Sequence, residues 1–488
     1  MKGQLLRRSA AWVFAGKTSD QVLSFAFGVA LARLLAPADF GMVLTIQIFT
    51  GLATFIAGGG MGQALVRAKT VEKADLDIVF TLQLIAGCLI YTVFFLVSPL
   101  FARWYDNPVY ADLLRVSALI FLLRPMLNLP NNLLVREMRF KEQAIASLSG
   151  LIASSCTSIA LALRGYGVWS LTLGGLVGAV AQGVALHVQS GWRPGLSRDF
   201  RRGRELVRYG FLVSANDVVN YLKMRINLFL LSQSVGPGPL GLYNKGESLA
   251  RMPHNFVTGS VYTVLLRAIA AEQGNLDRCR YLFARSVGTV AVYATPFYVG
   301  LVWLAEPLVR GLYGAKWAEA ATPLLILAAS WPFWLLGNLS GAVTAALNRL
   351  SNELKIQVVT LFVTALAVLG GLRFGIAGVA WAMVGTAAFI CVFMLRLAAQ
   401  ALEARWIEFV RALRPALLLN AALALLLALL ELALPAVVRE HDMLHVAVVG
   451  GIGGLFYAAC LLFWPIDELK AERTRLRQML RLDPPARP

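Results

Sequence analysis

The stretch ALLLNAALALLLALLELAL (residues 416–434) contains one charged residue in 19, and as a helix it can cross a bilayer. Thirteen other predominantly apolar runs have a similar length, so the sequence predicts about 14 transmembrane helices. Of the 488 residues 58% are hydrophobic and 15% are charged, and the mean hydropathy is +0.67. These values exclude a soluble globular protein, and we expect lipid to be the main solvent. The fourteen runs are 11–35, 40–60, 78–101, 112–134, 143–163, 166–189, 206–232, 241–270, 284–305, 320–346, 355–372, 376–398, 412–434 and 444–464.

The basic residues are distributed unevenly over the connectors between these runs. Both termini and alternate connectors hold 31 of the 45 Lys and Arg, whereas the opposite connectors hold 8. Basic connectors mark the cytoplasmic side, so both termini are predicted to be cytoplasmic. Membrane orientation therefore explains the net charge of +18, and no nucleic-acid partner is expected.

Short motifs recur about 200 positions apart. APADFG (36–41) resembles GPGPLG (236–241), and each pair of prolines and final glycines aligns. Six helices return the chain to its starting side, so the two halves are predicted to be parallel repeats. The predicted fold is an all-α polytopic membrane protein with two six-helix bundles and two further helices. Its predicted parts are the N-terminal bundle (1–190), a cytoplasmic linker (191–205), the C-terminal bundle (206–400), two additional transmembrane helices (401–465) and a basic cytoplasmic tail (466–488).

Charged residues inside the predicted spans are concentrated on the first, seventh and eighth helices. A charge at the bilayer centre costs several kcal/mol unless it is paired or hydrated. These residues could be ion pairs that lock the bundles together, or long side chains that reach the interface, an option considered for Arg225. We favour a hydrated cationic cavity. The cations of this set are Lys17, Lys223, Arg225, Lys245 and Arg251, and the accompanying residues are Asp20, Asp217, Glu247 and Arg124.

Helical geometry constrains how these charges can be used. Lys17 and Asp20 are three residues apart, so they share a face and could pair. Lys223 and Arg225 point about 200° apart, so a straight helix cannot direct both into one cavity. Arg124 lies on the fourth helix inside the first bundle. We expect it to have an internal partner rather than to contact a ligand, with Asp20 as the candidate.

Six motifs resemble those of the polysaccharide transport family, within the multidrug/oligosaccharidyl-lipid/polysaccharide exporter superfamily. The similarity is to exporters of the colanic-acid and O-antigen type. This chain departs from them in having Asn227 where an acidic residue is common. The motifs are ARLLAPADFG (32–41), GMGQALV (60–66), VREMRFK (135–141), GYGVWSL (165–171), YGFLVSANDVVNYL (209–222) and GPLGLYNKGESLARMP (238–253).

The resemblance implies a flippase that moves undecaprenyl-diphosphate-linked oligosaccharide to the outer leaflet by alternating access, for O-antigen, capsule or exopolysaccharide synthesis. It implies a location in the bacterial inner membrane. The cations listed above would then bind the diphosphate, and the acidic residues would hold those cations when the site is empty. No cofactor or metal is expected, and coupling to protons or sodium stays open. The expected partners are the lipid-linked oligosaccharide, anionic lipids under the basic tail, glycosyltransferases and a polysaccharide polymerase.

Two other functions compete with this interpretation. A cation-coupled multidrug exporter of the same superfamily usually carries cationic substrates, which a lumen rich in Lys and Arg does not suit. A membrane polymerase or ligase acting on lipid-linked glycans generally needs a long extracytoplasmic loop. In this chain the longest connectors between the predicted spans are about 15 to 20 residues, so the sequence predicts no such loop.

Overall fold

The computed structural model describes residues 2–58, 60–67, 70–465 and 469–479. These residues form α-helices and two short 3₁₀ helices, and no β-strand occurs among them. The all-α architecture predicted from the sequence is confirmed. The helices group into two compact units, residues 1–241 and residues 242–488.

The N-terminal unit is built from nine helices and the start of a tenth. Pro37 and Pro237 are the first residues of α2 and α10, where a proline is favoured because its missing N–H would have no helical partner. The helices are α1 (Lys2–Leu34), α2 (Pro37–Gly58), α3 (Met61–Arg67), α4 (Lys73–Trp104), α5 (Val109–Ala118), α6 (Ile120–Arg136), α7 (Phe140–Leu163), α8 (Val168–Ser190), α9 (Phe200–Ser234) and α10 (Pro237–Ala271), which continues into the next unit.

The first turns of α2 and α10 pack against each other reciprocally. A Cβ added at Gly41 would lie 1.7 Å from the carbonyl oxygen of Pro237. A Cβ added at Gly241 would lie 2.0 Å from the carbonyl oxygen of Pro37. Neither position can hold a side chain without a backbone shift. The glycines that the sequence aligns as repeat equivalents are therefore required by one shared contact.

Helix α9 is attached to α2 through a tyrosine. The Tyr221 hydroxyl lies within hydrogen-bond distance of the backbone oxygens of Gln47 (2.9 Å) and Ile48 (3.0 Å). A Cβ at Gly51 would lie 2.2 Å from this hydroxyl, so the glycine provides the space for it. By its contacts α9 belongs to the N-terminal unit. The sequence repeat instead assigns α9 to the predicted C-terminal bundle (206–400), and the boundaries of the two bundles stay a prediction.

The C-terminal unit contains the remainder of α10 and eleven further helices. The final one, α21, is fixed by an ion pair between Arg285 Nη2 and Glu472 Oε1 at 3.0 Å. Residues 466–468 and 480–488 of the predicted basic tail lie outside the described residues. The helices are α11 (Leu276–Trp303), α12 (Ala305–Tyr313), α13 (Ala321–Ala328), α14 (Trp331–Ala346), α15 (Leu350–Gly371), α16 (Gly375–Ala401), α17 (Trp406–Arg411), α18 (Arg414–Ala433), α19 (Ala436–Glu440), α20 (Asp442–Phe463) and α21 (Lys470–Met479).

Within the described residues, nine helical segments are long and apolar enough to cross a membrane, or ten if the bent segment 315–346 is one span. One of the nine, Leu350–Ala401, consists of α15 and α16 joined by a short 3₁₀ turn. The long helices α1, α9 and α10 are not among them, and they carry most of the candidate charges. The chain is therefore a multi-pass membrane protein, and these helices are consistent with the predicted total of about 14.

Candidate transport site

The nine candidate residues are divided between the two units. Six lie in the N-terminal unit and three lie close together on α10 in the C-terminal unit. The six are Lys17, Asp20, Arg124, Asp217, Lys223 and Arg225, and the three are Lys245, Glu247 and Arg251.

On α1, the lysine and the aspartate do not form the pair that their spacing allows. Asp20 accepts a hydrogen bond from the Ser147 hydroxyl on α7 at 3.2 Å, and Lys17 is exposed. No ion pair among the described residues joins the two. The reason is the close approach of α1 to α7, where a Cβ at Gly16 would lie 2.8 Å from that of Ala144. This packing turns the carboxylate toward α7.

The prediction that Asp20 is the partner of Arg124 was wrong. Its Nη2 donates to the Thr54 hydroxyl on α2 at 2.9 Å, and Asp20 is bonded elsewhere. The Nε of Arg124 is buried and has no hydrogen-bond partner among the described residues. No described carboxylate forms an ion pair with this guanidinium. A cation in the second turn of α6 is thus held by one neutral hydroxyl.

On α9, the charged side chains lie near the contact with α2. The Arg225 guanidinium carbon lies 6.0 Å from the centre of the Tyr221 ring, which is itself bonded to α2. Asp217, Lys223 and Arg225 are all half-buried. Asn227, where the family resemblance leads us to expect an acidic residue, is buried with 2% of its surface exposed.

In the C-terminal unit, Lys245 is held against aromatic rings. Its Nζ lies 5.2 Å from the ring centre of Tyr313 and 5.8 Å from that of Trp317. Both aromatic residues are almost completely buried, Tyr313 being 4% exposed and Trp317 0%. For a half-buried ammonium such contacts contribute about 1 kcal/mol, between the values for exposed and fully desolvated cations. Lys245 therefore has strong partners within its own unit.

Nearly two helical turns after Lys245, Arg251 is paired with an acid. Its Nη2 lies 2.5 Å from Glu247 Oε1, and Glu247 is buried. The guanidinium carbon also lies 5.7 Å from the centre of the Trp331 ring, and the His254 ring lies 4.8 Å from that ring at a tilt of 42°. The spacing of four residues places the acid and the base on one helical face, as the sequence indicates.

Sequence reasoning missed the partners that come from other helices. Thr54, Tyr313, Trp317 and Trp331 lie between 65 and 80 residues from the cations that they contact, and no local pattern marks them. Asn128 could have been recognised as a neighbour of Arg124, because its spacing of four residues places an amide one turn from the guanidinium on the same helical face. The described residues contain no group of three or more His, Cys, Asp or Glu that could hold a metal.

An all-helical multi-pass chain with a cation inside a span, Arg124 in Val109–Arg136, and further cations on the long helices α1, α9 and α10 has the features of a membrane transporter, since such charges mark substrate and ion pathways. Its fold is similar to that of a solved structure described as the lipid II flippase MurJ in an inward closed conformation. The TM-score is 0.72, with 92% of this chain and 99% of that chain covered at 16% identity. At this identity the similarity concerns the fold.

Residues 30–322 match the profile of the family described as "Polysaccharide biosynthesis protein", and the chain belongs to this family. It is 27% identical over 330 residues to the succinoglycan biosynthesis transport protein ExoT of Rhizobium meliloti (strain 1021), covering 68% of this chain and 67% of ExoT. It is 24% identical over 358 residues to the lipopolysaccharide biosynthesis protein WzxC of Escherichia coli (strain K12), covering 72% of each chain. The family resemblance predicted from the motifs is confirmed.

Proposed function

We propose that the protein is a flippase that moves undecaprenyl-diphosphate-linked oligosaccharide from the cytoplasmic to the outer leaflet, for synthesis of a surface polysaccharide. The observation that carries the proposal is the family match over residues 30–322, on a fold shared with a lipid II flippase. The relatives named above act in succinoglycan transport and lipopolysaccharide biosynthesis. A transporter of lipid-linked glycans fits these neighbours better than a polymerase or ligase does.

The chemistry of such a substrate fits the charges on α1, α9 and α10. A diphosphate is anionic, and cations in a low-dielectric site bind it through charge-assisted hydrogen bonds. Lys223 on α9 is the half-buried cation that we assign first to this role, since Arg225 points to another face of the same helix and lies against the Tyr221 ring. Lys17 is the next candidate. Lys245 and Arg251 would have to leave aromatic or acidic partners in order to bind a ligand.

Several further properties belong to the same proposal. The protein would reside in the bacterial inner membrane with both termini in the cytoplasm, where glycosyltransferases supply the substrate. A polymerase would take the product on the other side. A proton or sodium gradient would drive the cycle, with Asp20, Asp217 or Glu247 as the group that responds to the ion.

The test is transport of a labelled lipid-linked oligosaccharide in liposomes. Purified protein is reconstituted with the fluorescent substrate in both leaflets, and an impermeant glycosidase outside removes only accessible glycan. Wild-type protein should make the protected half accessible. Lys223→Ala should slow this step about tenfold or more, because it removes a charged contact. The matched control is Lys355→Ala, an exposed lysine at the start of α15, which should transport normally.

Three results would contradict the proposal. The first is wild-type protein that leaves the inner-leaflet glycan protected in the presence of proton or sodium gradients. The second is glycan chains that lengthen or change carrier in the same vesicles, which would identify an enzyme. The third is efflux of cationic drugs by cells that contain the protein while glycan transport is absent, which would identify the multidrug exporter.

A further inference from the structure

A cavity of about 450 Å³ lies inside the N-terminal unit, between α6, α7 and α8. This volume is in the range of binding pockets for small ligands. Its other described lining residues are apolar or glycine, and none is acidic. The polar side chains of its wall are Arg124, Asn128, Asn131, Ser154 and Gln182.

The guanidinium in this wall is incompletely satisfied. Thr54 accepts one of its N–H groups, and the Thr54 hydroxyl donates its own proton to the Thr50 carbonyl at 3.0 Å. A guanidinium has five N–H donors, and Nε of Arg124 is buried without a partner. A cation placed in a membrane protein without a counter-ion is costly. An anionic ligand in the cavity would supply the missing charge.

The amides around the cavity are arranged as donors. Asn128 and Asn131 follow Arg124 by four and seven residues, so the three lie on one face of α6. The Oδ1 of Asn131 accepts a hydrogen bond from Gln143 at 3.0 Å, so its NH₂ group is available to donate. Planar amides and hydroxyls such as these pair readily with the hydroxyl groups of a sugar ring.

The opposite wall is rigid because α7 and α8 pack through small residues. A Cβ at Gly178 would lie 2.6 Å from the Ser154 Cβ, and one at Gly150 would lie 2.8 Å from the Gln182 Cβ. Both glycines are therefore in tight contact with the opposite helix. A wall fixed in this way holds Ser154 and Gln182 at constant positions, as a binding site requires.

We propose that this cavity binds a sugar residue carrying a single carboxylate, with Arg124 paired to that carboxylate and the amides bonded to the ring hydroxyls. The proposal rests on the proposed function and specifies its substrate as an oligosaccharide that contains an acidic sugar. One guanidinium matches a planar monoanion in bidentate geometry, whereas a diphosphate brings more charge than this cavity neutralises.

The experiment compares two donors in the liposome assay. They share carrier, diphosphate and glycan length, and differ only in glucuronate against glucose at one position. Arg124→Gln should slow transport of the acidic donor about tenfold or more, the loss expected for a charged hydrogen bond, and should change the neutral donor less than about twofold. For Arg124→Lys the transport rate of the acidic donor should fall between those of wild type and Arg124→Gln, since an ammonium keeps the charge but cannot bind in bidentate geometry. Arg164→Gln, at an exposed arginine of the same unit, is the matched control.

A binding measurement separates this proposal from the proposed function. Sodium glucuronate should raise the melting temperature of the purified wild-type protein, and glucose at the same concentration should raise it less. The shift should disappear in Arg124→Gln and persist in Arg164→Gln. If neither donor is transported but this pattern is found, the flippase assignment fails and the cavity assignment stands.

Other outcomes would overturn the cavity assignment. Equal slowing of both donors by Arg124→Gln, at an unchanged melting temperature, would place the diphosphate rather than a sugar carboxylate at this arginine. Wild-type rates with both donors, or a glucuronate shift that persists in the variant, would show that the arginine contacts neither. Inorganic phosphate giving a larger shift than glucuronate would also contradict a carboxylate site.

Discussion

Arg124 on α6 and Arg251 on α10 both have a buried Nε without a hydrogen-bond partner among the described residues, but only one of the two arginines has a counter-ion there. Arg251 has a carboxylate 2.5 Å away and an aromatic ring over its guanidinium. Arg124 has one threonine hydroxyl and a polar cavity. Arg251 is neutralised by an acid on its own helix, whereas no described residue supplies a negative charge to Arg124.

The difference separates two roles for charges inside a membrane protein. An ion pair with a buried carboxylate, such as Glu247–Arg251, has a desolvation cost that the attraction between its partners offsets, so removing one partner leaves this cost of the other uncompensated. An unneutralised arginine beside a cavity is in that costly condition when the site is empty. That cost falls only when an anion or water enters the cavity and solvates or neutralises the guanidinium. The predictions below test this distinction through stability and transport.

The largest effect is expected from Glu247→Ala. It leaves Arg251 without its carboxylate, which costs 3–5 kcal/mol for a fully buried pair. The Arg251 side chain keeps 39% exposure, so we expect a loss of about 2–3 kcal/mol. Thermal unfolding of the purified protein in detergent measures it. The double variant Glu247→Ala/Arg251→Met should recover most of the loss, and a double variant no better than the single one would contradict a neutralising pair.

The next effect is expected from Thr54→Asp, which gives Arg124 the counter-ion that Arg251 already has. The new carboxylate would occupy the guanidinium, so transport of the glucuronate donor should fall about tenfold, equivalent to about 1.4 kcal/mol. Transport of the glucose donor should be nearly unchanged. Thr54→Val, which supplies no charge, is the control and should preserve the preference for the acidic donor. Equal rates for Thr54→Asp and wild type on that donor would argue against a ligand at Arg124.

Much of the fold could be predicted because lipid imposes it along the chain. Span lengths, the bias of 31 against 8 basic residues and the repeat motifs are all read locally. The alignment of Gly41 with Gly241 identified two turns that the structure brings into contact. The sequence does not specify which helices pack together. The attachment of α9 to α2 through Tyr221 therefore appears only in the structure.

The same limit applies to the charged residues. The Glu247–Arg251 pair follows from spacing on one helix, but the aromatic rings around Lys245 come from α12 and the 3₁₀ helix after it. Asp20 and Arg124 were expected to meet because both are polar residues inside one bundle. The rotation of each helix about its axis decides such contacts, and it turns Asp20 toward α7. The spacing of residues along one helix does not determine how that helix is rotated relative to its neighbouring helices.

A smaller effect is expected from Lys245→Met. Methionine keeps the apolar stem between Tyr313 and Trp317 but removes the charge, so the cation–π energy is lost, about 1 kcal/mol. A drop in melting temperature smaller than that of Glu247→Ala should report it, and Lys355→Met at an exposed site should show none. If Lys245→Met keeps its full stability but slows glycan transport as Lys223→Ala does, Lys245 is a ligand residue rather than an anchor.

The smallest effect on stability is expected from Arg124→Gln. Glutamine can still donate to Thr54, and the loss of the charged hydrogen bond is offset by removal of an unneutralised cation, so the change should stay within about 0.5 kcal/mol. Arg251→Gln is the matched comparison, because it leaves the buried Glu247 unpaired and should lower the melting temperature clearly. Equal destabilisation by the two substitutions would mean that Arg124 is also neutralised inside the protein. Its cavity would then have no charge left for a ligand, and the contrast between the two arginines would not hold.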